Sequence, residues 1–350
     1  MGALFVLLLI VSLLPSLPGT QGVAHYLPLH MALETLVIVV AALTFGVVWS
    51  VRHERLPHNA LLLACGFMGV GLLDFSHMLS YDGMPTFITP SSSEKAINFW
   101  LAARLLGALT LVAVAWLPWS TSASRRYALG LLATVLAVVA AVHGLILYAP
   151  DLLPRTFVPG QGLTPLKITF EYVLMALYLV AAALLLWHMR QERRFNAVGL
   201  FAAACAMAQS EFFFTRYTGV TDIYNLLGHF YKVLAYTYLY RAAFVETVQQ
   251  PYALLHSSQM QLQATLDSLP DLLLELHDEG RYVDVHTSHT SSLAAAPDLL
   301  LGKTVYEVLP AEHAGTTMQA LAEARDTGIS RGRVIALQVP EGKRWFELWV

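Results

Sequence analysis

The first 246 residues alternate long apolar segments with short polar ones. Apolar runs of about 20 residues, the length that spans a bilayer as a helix, cover 30–50, 59–80, 96–118, 127–149, 165–189, 196–216 and 223–246. A shorter run at 3–17 is either a first span or the apolar part of a signal peptide, and its lack of a basic leading region favours a retained span. The pattern therefore predicts a mainly α, polytopic membrane helix bundle of seven or eight spans.

The composition agrees with a membrane protein. The chain has 350 residues, of which 56% are hydrophobic and 13% are charged, whereas soluble domains carry about 25% charged residues. The lipid bilayer is therefore an expected partner. The net charge of −3 gives no electrostatic reason to expect nucleic acid as a partner. Cys65 and Cys205 lie within apolar runs, which favours buried thiols over a disulfide framework or a thiolate metal site.

Basic residues in short loops predict the orientation of the spans. One set of alternate loops contains Arg52, Arg55, Arg125, Arg126, Arg190, Arg193 and Arg194. The opposite set contains Lys95, Arg155 and Lys167. The arginine-rich loops are predicted to be cytoplasmic, which also places the C-terminal part of the chain in the cytoplasm.

The pattern changes after Arg241, where an amphipathic segment, 247–268, follows the membrane region 1–246. Its apolar residues repeat every seven positions: Val248, Leu255, Leu262 and Leu269, with Tyr252 and Leu266 on the neighbouring seam. Such a repeat predicts a parallel two-helix coiled coil, and so a homodimer through the helix 248–269. The alternative is a linker helix packed on its own domain. Pro251 fits a helix start or a kink.

Residues 269–350 have the alternation of a small α+β domain. Strands are predicted at "DLLLELH", "RYVDVHT", "RVIALQVP" and "RWFELWV". Helices are predicted at "TVYEVLP" and at "HAGTTMQALAEARDTG", which ends at Gly328. The last predicted strand still runs at Val350, so this domain is expected to be truncated. Its histidines, His277, His286 and His289, are interpreted as strand-face or solvent-facing residues rather than haem ligands, and no cofactor is evident here.

Ionisable side chains within spans are costly and point to a function. The candidates are His30, Glu34, Asp74, His77, Arg104, His143, Glu171, Glu211, Arg216, His229 and Lys232. His30 and Glu34, four residues apart, share one helix face. With the predicted orientation, these residues all fall in the outer half of the membrane. We therefore expect an outer polar pocket in which the carboxylates face Arg104, Arg216 and Lys232.

Four interpretations of this pocket stay open. It is a set of interhelical hydrogen bonds that hold the bundle together, a pocket for a small molecule or ion, a metal or haem site, or a proton relay. The metal ligands would be His30, Glu34, Asp74, His77 and His229, because imidazole and carboxylate suit zinc, iron or copper. No polar residues continue to the cytoplasmic side, which argues against a small-molecule transporter.

Several stretches resemble the third class of bacterial membrane-associated sensor domains (MASE-type): "HMALETLVIVVAALTF", "GVGLLDFSHMLSYDGMPTF", "INFWLAARLLGALTLV" and "LLGHFYKVLAYTYLYRAAFVETVQQPY". The resemblance implies a multi-span sensory module ahead of PAS, histidine kinase or diguanylate cyclase modules. It assigns pocket positions to His30, Glu34, Asp74, His77, Tyr81, Trp100, Arg104, His229 and Lys232. Residues 259–350 resemble the front of a PAS domain, through "LDSLPDLLLELHDEGRYVDVH", "GKTVYEVLP" and "KRWFELWV".

These features predict a sensory input region rather than an enzyme. The chain has no nucleophile–base arrangement, phosphate-binding glycine loop or catalytic carboxylate pair. A signal in the pocket, which also includes Glu171 and Glu211, would move the last span and act through the 247–268 helix and the PAS domain. The resemblance implies an output module outside this chain, in cyclic di-GMP signalling or in a two-component system, at the bacterial inner membrane. The alternatives are a metal-binding or haem-binding redox or metal sensor, and a small-molecule transporter.

Overall fold

The computed structural model describes residues 2, 6, 10, 25–53, 56–118, 123–158, 161–189, 197–217, 221–268, 271–287, 293, 295–340 and 342–350. The chain divides into two compact units, 1–252 and 253–350. The predicted first span at 3–17 lies outside the described residues except for Val6 and Ile10. Four loop arginines and two residues of the second unit also lie outside them: Arg55, Arg190, Arg193, Arg194, Leu269 and His289.

The described part of the first unit contains seven long helices, one for each of the seven longer apolar runs. Their bounds are α1 Tyr26–Ser50, α2 His58–Leu79, α3 Ser93–Trp116, α4 Arg125–Tyr148, α5 Pro165–Met189, α6 Ala197–Phe214 and α7 Ile223–Phe244. A short 3-10 turn, Pro150–Leu152, and a two-stranded hairpin of β1 Phe157–Val158 and β2 Gly162–Leu163 connect α4 to α5. The predicted bundle is confirmed.

Side-chain caps set the starts of several of these helices. Ser92 accepts a hydrogen bond from the backbone N–H of Lys95 before α3, and Ser124 accepts one from Tyr127 before α4. Asp222 does the same for Tyr224 before α7. These bonds satisfy backbone donors that have no partner within the first helical turn.

Helices α1 to α6 are each long and apolar enough to cross a membrane. Helix α7 has the length but is more polar, because it carries several tyrosines together with His229, Lys232 and Arg241. One face of α1 is exposed and apolar, with Leu36, Val39 and Leu43 nearly half exposed. An apolar face of this kind suits lipid, so the first unit has the properties of a multi-pass membrane bundle.

The helices pack around an apolar core. Helix α1 packs against α2 and α7, α2 against α3, and α6 against both α5 and α7. Helix α3 also packs against α5, while α4 lies against α2. The buried faces meet through small residues such as Ala41, Ala103 and Ala203, each fully buried. Small residues allow membrane helices to approach closely.

The backbone stays helical beyond α7. A π-helical turn, Val245–Gln249, leads directly into α8, Gln250–Ser268. Pro251 explains the wide turn, because it has no N–H and its ring would clash with the carbonyl of Thr247 in a regular α-helix. The predicted helix is thus present, and the exposed fractions of Leu255 and Leu262 on its apolar repeat are 59% and 61%.

The described residues of the second unit form an α/β arrangement. Its elements are β3 Leu273–Leu276, β4 Tyr282–His286, α9 Pro297–Leu300, α10 Val305–Val308, α11 Ala311–Thr327, β5 Arg333–Val339 and β6 Gly342–Leu348. Strands β3 and β4 form one antiparallel hairpin, and β5 and β6 form another. The predicted strands and helices are confirmed, including the end of α11 at Gly328, which has a φ of 84°.

Two details of this unit differ from the prediction. The short helix α9 was not predicted. The last strand ends at Leu348 rather than running through Val350. Val350 instead exchanges two backbone hydrogen bonds with Ser330, at 2.8 and 2.9 Å.

Glu323 on α11 gives this unit a testable pH dependence. Hydrogen bonds from Ser330 and Arg333 lower the pKa of the Glu323 carboxyl. A lowered pKa stabilises the fold above the usual glutamate value of about 4.3, and this stabilisation is lost as the pH falls through the lowered pKa. We expect the melting temperature of this unit to fall less steeply below about pH 4.3 in Glu323→Gln than in the wild type. Thermal melts of the exposed control Glu312→Gln should follow the wild type.

Candidate functional site

Charged side chains from four helices meet near one end of the bundle. Glu34 lies on α1, Asp74 on α2, Arg104 on α3 and Lys232 on α7, and at most 1% of each is exposed. We call these four residues the charge network. Each helix contributes a single charge, so the network joins α1, α2, α3 and α7 through their side chains.

Each charge of the network lies against at least one opposite charge. An Arg104 guanidinium nitrogen lies 2.7 and 2.6 Å from the two Asp74 oxygens. The Lys232 ammonium lies 2.8 Å from both Glu34 oxygens and 3.2 Å from Asp74 Oδ1. Two positive and two negative groups leave the network formally neutral, which offsets part of the cost of burying charge. Lys232 is the shared member, because it contacts both carboxylates.

Aromatic side chains support the network. Arg104 Cζ lies 4.7 Å and Lys232 Nζ lies 4.4 Å from the centre of the Trp100 ring, within cation–π range. The Tyr236 hydroxyl donates to Asp74 at 3.1 Å and accepts from Arg104 at 3.0 Å. These contacts fix the orientation of Asp74 and Arg104.

Three histidines lie beside the network. The His30 ring centre is 5.4 Å from that of His77 and 4.7 Å from that of His229, and Tyr81 lies 4.2 Å from His30. All three histidines are buried. The structure thus brings the nine positions assigned by the resemblance into one polar pocket.

Hydrogen bonds to backbone carbonyls define the tautomers of two of the histidines. His77 Nδ1 lies 2.8 Å from the Ala96 carbonyl, and His229 Nδ1 lies 2.7 Å from the Asn225 carbonyl. A carbonyl oxygen can only accept, so each Nδ1 carries the proton. In both rings the opposite nitrogen, Nε2, therefore faces the pocket.

Four of the five predicted metal ligands form a compact set. One ligand atom each from His30, Glu34, His77 and His229 lies within 4.8 Å of all the others. Asp74, the fifth, is not part of this set. It is instead held by Arg104, Lys232 and Tyr236. We call His30, Glu34, His77 and His229 the ligand set.

Two cavities of very different size lie in the described parts of the two units. A cavity of about 30 Å³ is lined by His30, His77, Trp100 and His229. A larger one, about 600 Å³, lies in the second unit between strand residues such as Leu274 and the last residues of the chain. Of these two cavities, the small one is lined by histidines.

Glu171 and Glu211 belong to a neighbouring cluster. Lys167 lies 2.9 Å from Glu171 and donates to the Phe214 carbonyl at 2.8 Å. Glu211 is fully buried and lies within electrostatic range of Glu171. Arg216, predicted to face the carboxylates, is exposed and lies over the Phe212 ring. The prediction for Arg216 is wrong because the turn after α6 points it outward, and Lys167 takes its place.

The predicted sorting of polar residues by depth is also incomplete. Asn59 and His188 are buried at the opposite end of the bundle. The Asn59 amide donates to the carbonyls of Val114 and Leu117, and His188 Nε2 lies 2.7 Å from that of Ala115. Helix ends leave carbonyls without partners, so these residues have a structural role at the end of α3. His143 also has a structural role, because its ring on α4 forms a hydrogen bond of 2.6 Å with the Ser76 hydroxyl on α2.

Several pocket residues were not predicted. Tyr26 stacks on His30 at 5.7 Å, and the Tyr178 hydroxyl donates to the Arg104 carbonyl at 3.1 Å. Tyr236 is the third. Four-residue spacing could have indicated two of them, because Tyr26 precedes His30 and Tyr236 follows Lys232 by one helical turn. Nothing in the sequence pattern singles out Tyr178.

Gly228 allows α6 and α7 to approach each other at the pocket. A Cβ at this position would lie 2.5 Å from the ring of Phe214, which packs on Trp100 and His229. We expect Gly228→Ala to lower the free energy of unfolding by about 1–3 kcal/mol through overpacking. Gly144→Ala, whose Cβ would meet open space on α4, should stabilise its helix by up to about 1 kcal/mol. Equilibrium unfolding in mixed micelles compares the two variants, and equal stabilities would contradict this packing.

Comparison with known families agrees with this architecture. A sequence profile of the MASE3 membrane-associated sensor domain matches residues 22–251, and a profile of the PAS fold matches residues 266–350. Comparison with curated proteins finds no match. The first profile covers α1 to α7, including the charge network and the ligand set, and the second covers the α/β unit. The chain therefore belongs to the MASE3 family of membrane-associated sensor domains, with a PAS domain following the membrane region.

Proposed function

We propose that this chain is the input region of a membrane receptor and that the polar pocket is its sensing site. The observation that carries the proposal is the charge network, which joins α7 to α1, α2 and α3 through buried ion pairs. A buried ion pair is weak evidence for stability, because apolar residues of similar volume often serve as well. The burial of four charged side chains from four helices therefore supports a functional role.

Helix α7 is the element through which a signal would leave the pocket. It contributes both Lys232 and His229, and its backbone continues as helix through the π turn to Ser268. A ligand that changes the partners of Lys232 therefore acts on a helix that leads to the PAS domain. Such a change needs only two packings of similar free energy, which the ligand binds with different affinity.

The exposed apolar repeat on α8 supports a dimer. Leu255 and Leu262, which lie seven residues apart, and Tyr252 on the neighbouring seam are each more than half exposed although they are apolar. A second copy of the chain, aligned in parallel, would cover both seams. We place the C-terminal unit in the cytoplasm of a bacterium, next to an output module of the cyclic di-GMP or two-component type, as the resemblance implies.

Disulfide cross-linking in membranes tests the dimer and its link to the pocket. Single cysteines at Leu255 or Leu262, in a chain with Cys65→Ala and Cys205→Ala, should cross-link several-fold faster than one at Ser257, which lies off both seams. Lys232→Met should change the ratio of the cross-linking rates at positions 255 and 262. This substitution removes the contacts of α7 with the Glu34 and Asp74 carboxylates. Equal rates at all three positions would contradict the dimer, and an unchanged ratio in folded Lys232→Met would contradict the coupling.

A further inference from the structure

We infer that the ligand set binds one divalent transition-metal ion and that this ion is the signal. The signalling half of this inference rests on the proposed function, whereas the binding half rests on the site alone. The donors are three imidazoles and one carboxylate, a combination that suits zinc, iron or copper. All four side chains are buried at the meeting point of α1, α2 and α7.

The spacing of the donors suits an ion. Their ligand atoms lie within 4.8 Å of one another. Zinc binds imidazole nitrogen at about 2.0–2.1 Å, which places tetrahedral ligands about 3.4 Å apart. Side-chain shifts of about 1 Å would therefore close the set around one ion. His30 and Glu34 lie one helical turn apart on α1, so both reach the same ion from one helix.

The hydrogen bonds of the histidines also favour a cation. His229 Nε2 lies 3.1 Å from Glu34 Oε1, and without a proton on Nε2 both of these atoms are acceptors. Two acceptors at this distance need a proton or a metal ion between them. Neither ring nitrogen of His30 has a hydrogen-bond partner within the described residues, and His77 Nε2 also has none. Such buried groups are costly unless something binds them.

The backbone carbonyls of Ala96 and Asn225 act as the outer partners typical of metal-bound histidines. Each accepts from the Nδ1–H of its histidine and so directs Nε2 into the pocket. Partners of this kind fix the ring orientation of metal ligands. The arrangement thus supplies both the ligands and their support.

The size of the cavity selects an ion over an organic ligand. Its volume is about 30 Å³, whereas pockets for small organic molecules measure about 300–1,000 Å³. A haem does not fit this space either. Trp100 and Phe214 form aromatic walls around the histidines and leave no room for a larger group.

Binding would change the charge network through Glu34. The Glu34 carboxylate is shared between the ligand set and Lys232, which lies 2.8 Å from both of its oxygens. An ion that takes one oxygen weakens this contact, and repulsion between the two cations favours the Lys232 contact with Asp74 at 3.2 Å. The ion therefore changes the partners of α7 at two positions, His229 and Lys232.

Metal content of the tag-free chain in lipid nanodiscs tests the binding half. After equilibration with Zn²⁺ and removal of excess metal, elemental analysis should give one ion per chain, and Co²⁺ should give the intense visible bands of a tetrahedral site. His30→Ala and His77→Gln should each weaken Zn²⁺ binding at least tenfold, while His143→Ala, a histidine outside the ligand set, should leave it unchanged. Binding that is absent in the folded wild type, or equal in all variants, would overturn the site.

The signalling half is measured on the same samples. Zn²⁺ should change hydrogen–deuterium exchange in Val245–Ser268 of the wild type but not of His77→Gln. Zn²⁺ binding without this change would overturn the ion as the signal and leave the metal site in place. Absent binding together with a changed cross-linking ratio in Lys232→Met would overturn the metal site and leave the sensing function in place.

Discussion

Replacing Arg104 with methionine should lower the free energy of unfolding of the membrane unit by about 3–5 kcal/mol, the cost of removing one partner of a buried ion pair. Arg104 provides the two shortest contacts of Asp74, at 2.6 and 2.7 Å, and both side chains are buried. Methionine has a similar length and no charge. The variant therefore leaves Asp74 with Lys232 and Tyr236 as its remaining partners.

A double variant separates loss of the charge from loss of packing. In Arg104→Met with Asp74→Asn, no uncompensated carboxylate remains, so much of the lost stability should return. Arg126→Met is the matched control, because Arg126 is exposed at the start of α4, and it should change stability by less than about 0.5 kcal/mol. Equilibrium unfolding in micelles measures all three. A loss below about 1 kcal/mol for Arg104→Met would contradict a tightly paired buried network.

Replacing Trp100 with alanine should have a comparable effect, about 3–5 kcal/mol. Trp100 is 4% exposed and lies beneath both cations of the charge network. Its removal leaves a cavity and also removes two cation–π contacts, each worth about 0.5–2 kcal/mol. The loss therefore combines apolar and electrostatic parts.

Two further tryptophan variants separate these parts. Trp100→Phe keeps an aromatic face and should recover more than half of the loss. Trp116→Ala, at the other end of the same helix and 73% exposed, should cost little because no packed core is disrupted. Unfolding curves of the three variants, measured by the fluorescence of the remaining tryptophans, provide the comparison. Equal losses for Trp100→Ala and Trp116→Ala would contradict the central position of Trp100.

The sequence was sufficient to place the helices and to select most of the pocket. The apolar runs predicted the first and last residues of α1 to α7 to within a few positions. This succeeds because a helix that spans a bilayer must be apolar over its whole length. The four-residue spacing of His30 and Glu34 fixed their common face. The position of each residue along its predicted span placed Asp74 and Lys232 at the same depth in the membrane as His30 and Glu34.

Pairing within the pocket could not be predicted, because it depends on the rotation of each helix about its own axis. Asp74 and Glu34 are both carboxylates at similar depth, yet Asp74 pairs with Arg104 while Glu34 faces the histidines. Lys167 takes the role expected of Arg216 because Arg216 lies in the turn after α6, which points it outward. Asn59 and His188 were missed because their partners are backbone carbonyls of α3, which no side-chain pattern reveals.

Hydrogen–deuterium exchange of Val245–Ser268 in wild type and Lys232→Met tests most directly whether the pocket acts on the helix that leaves the membrane. Lys232 is the only member of the charge network on α7 within the described residues, and it contacts both carboxylates. We predict a clear change in the exchange of this segment in Lys232→Met and none in Arg126→Met, with both variants folded. Exchange that is identical in wild type and folded Lys232→Met would contradict a sensing role for the pocket.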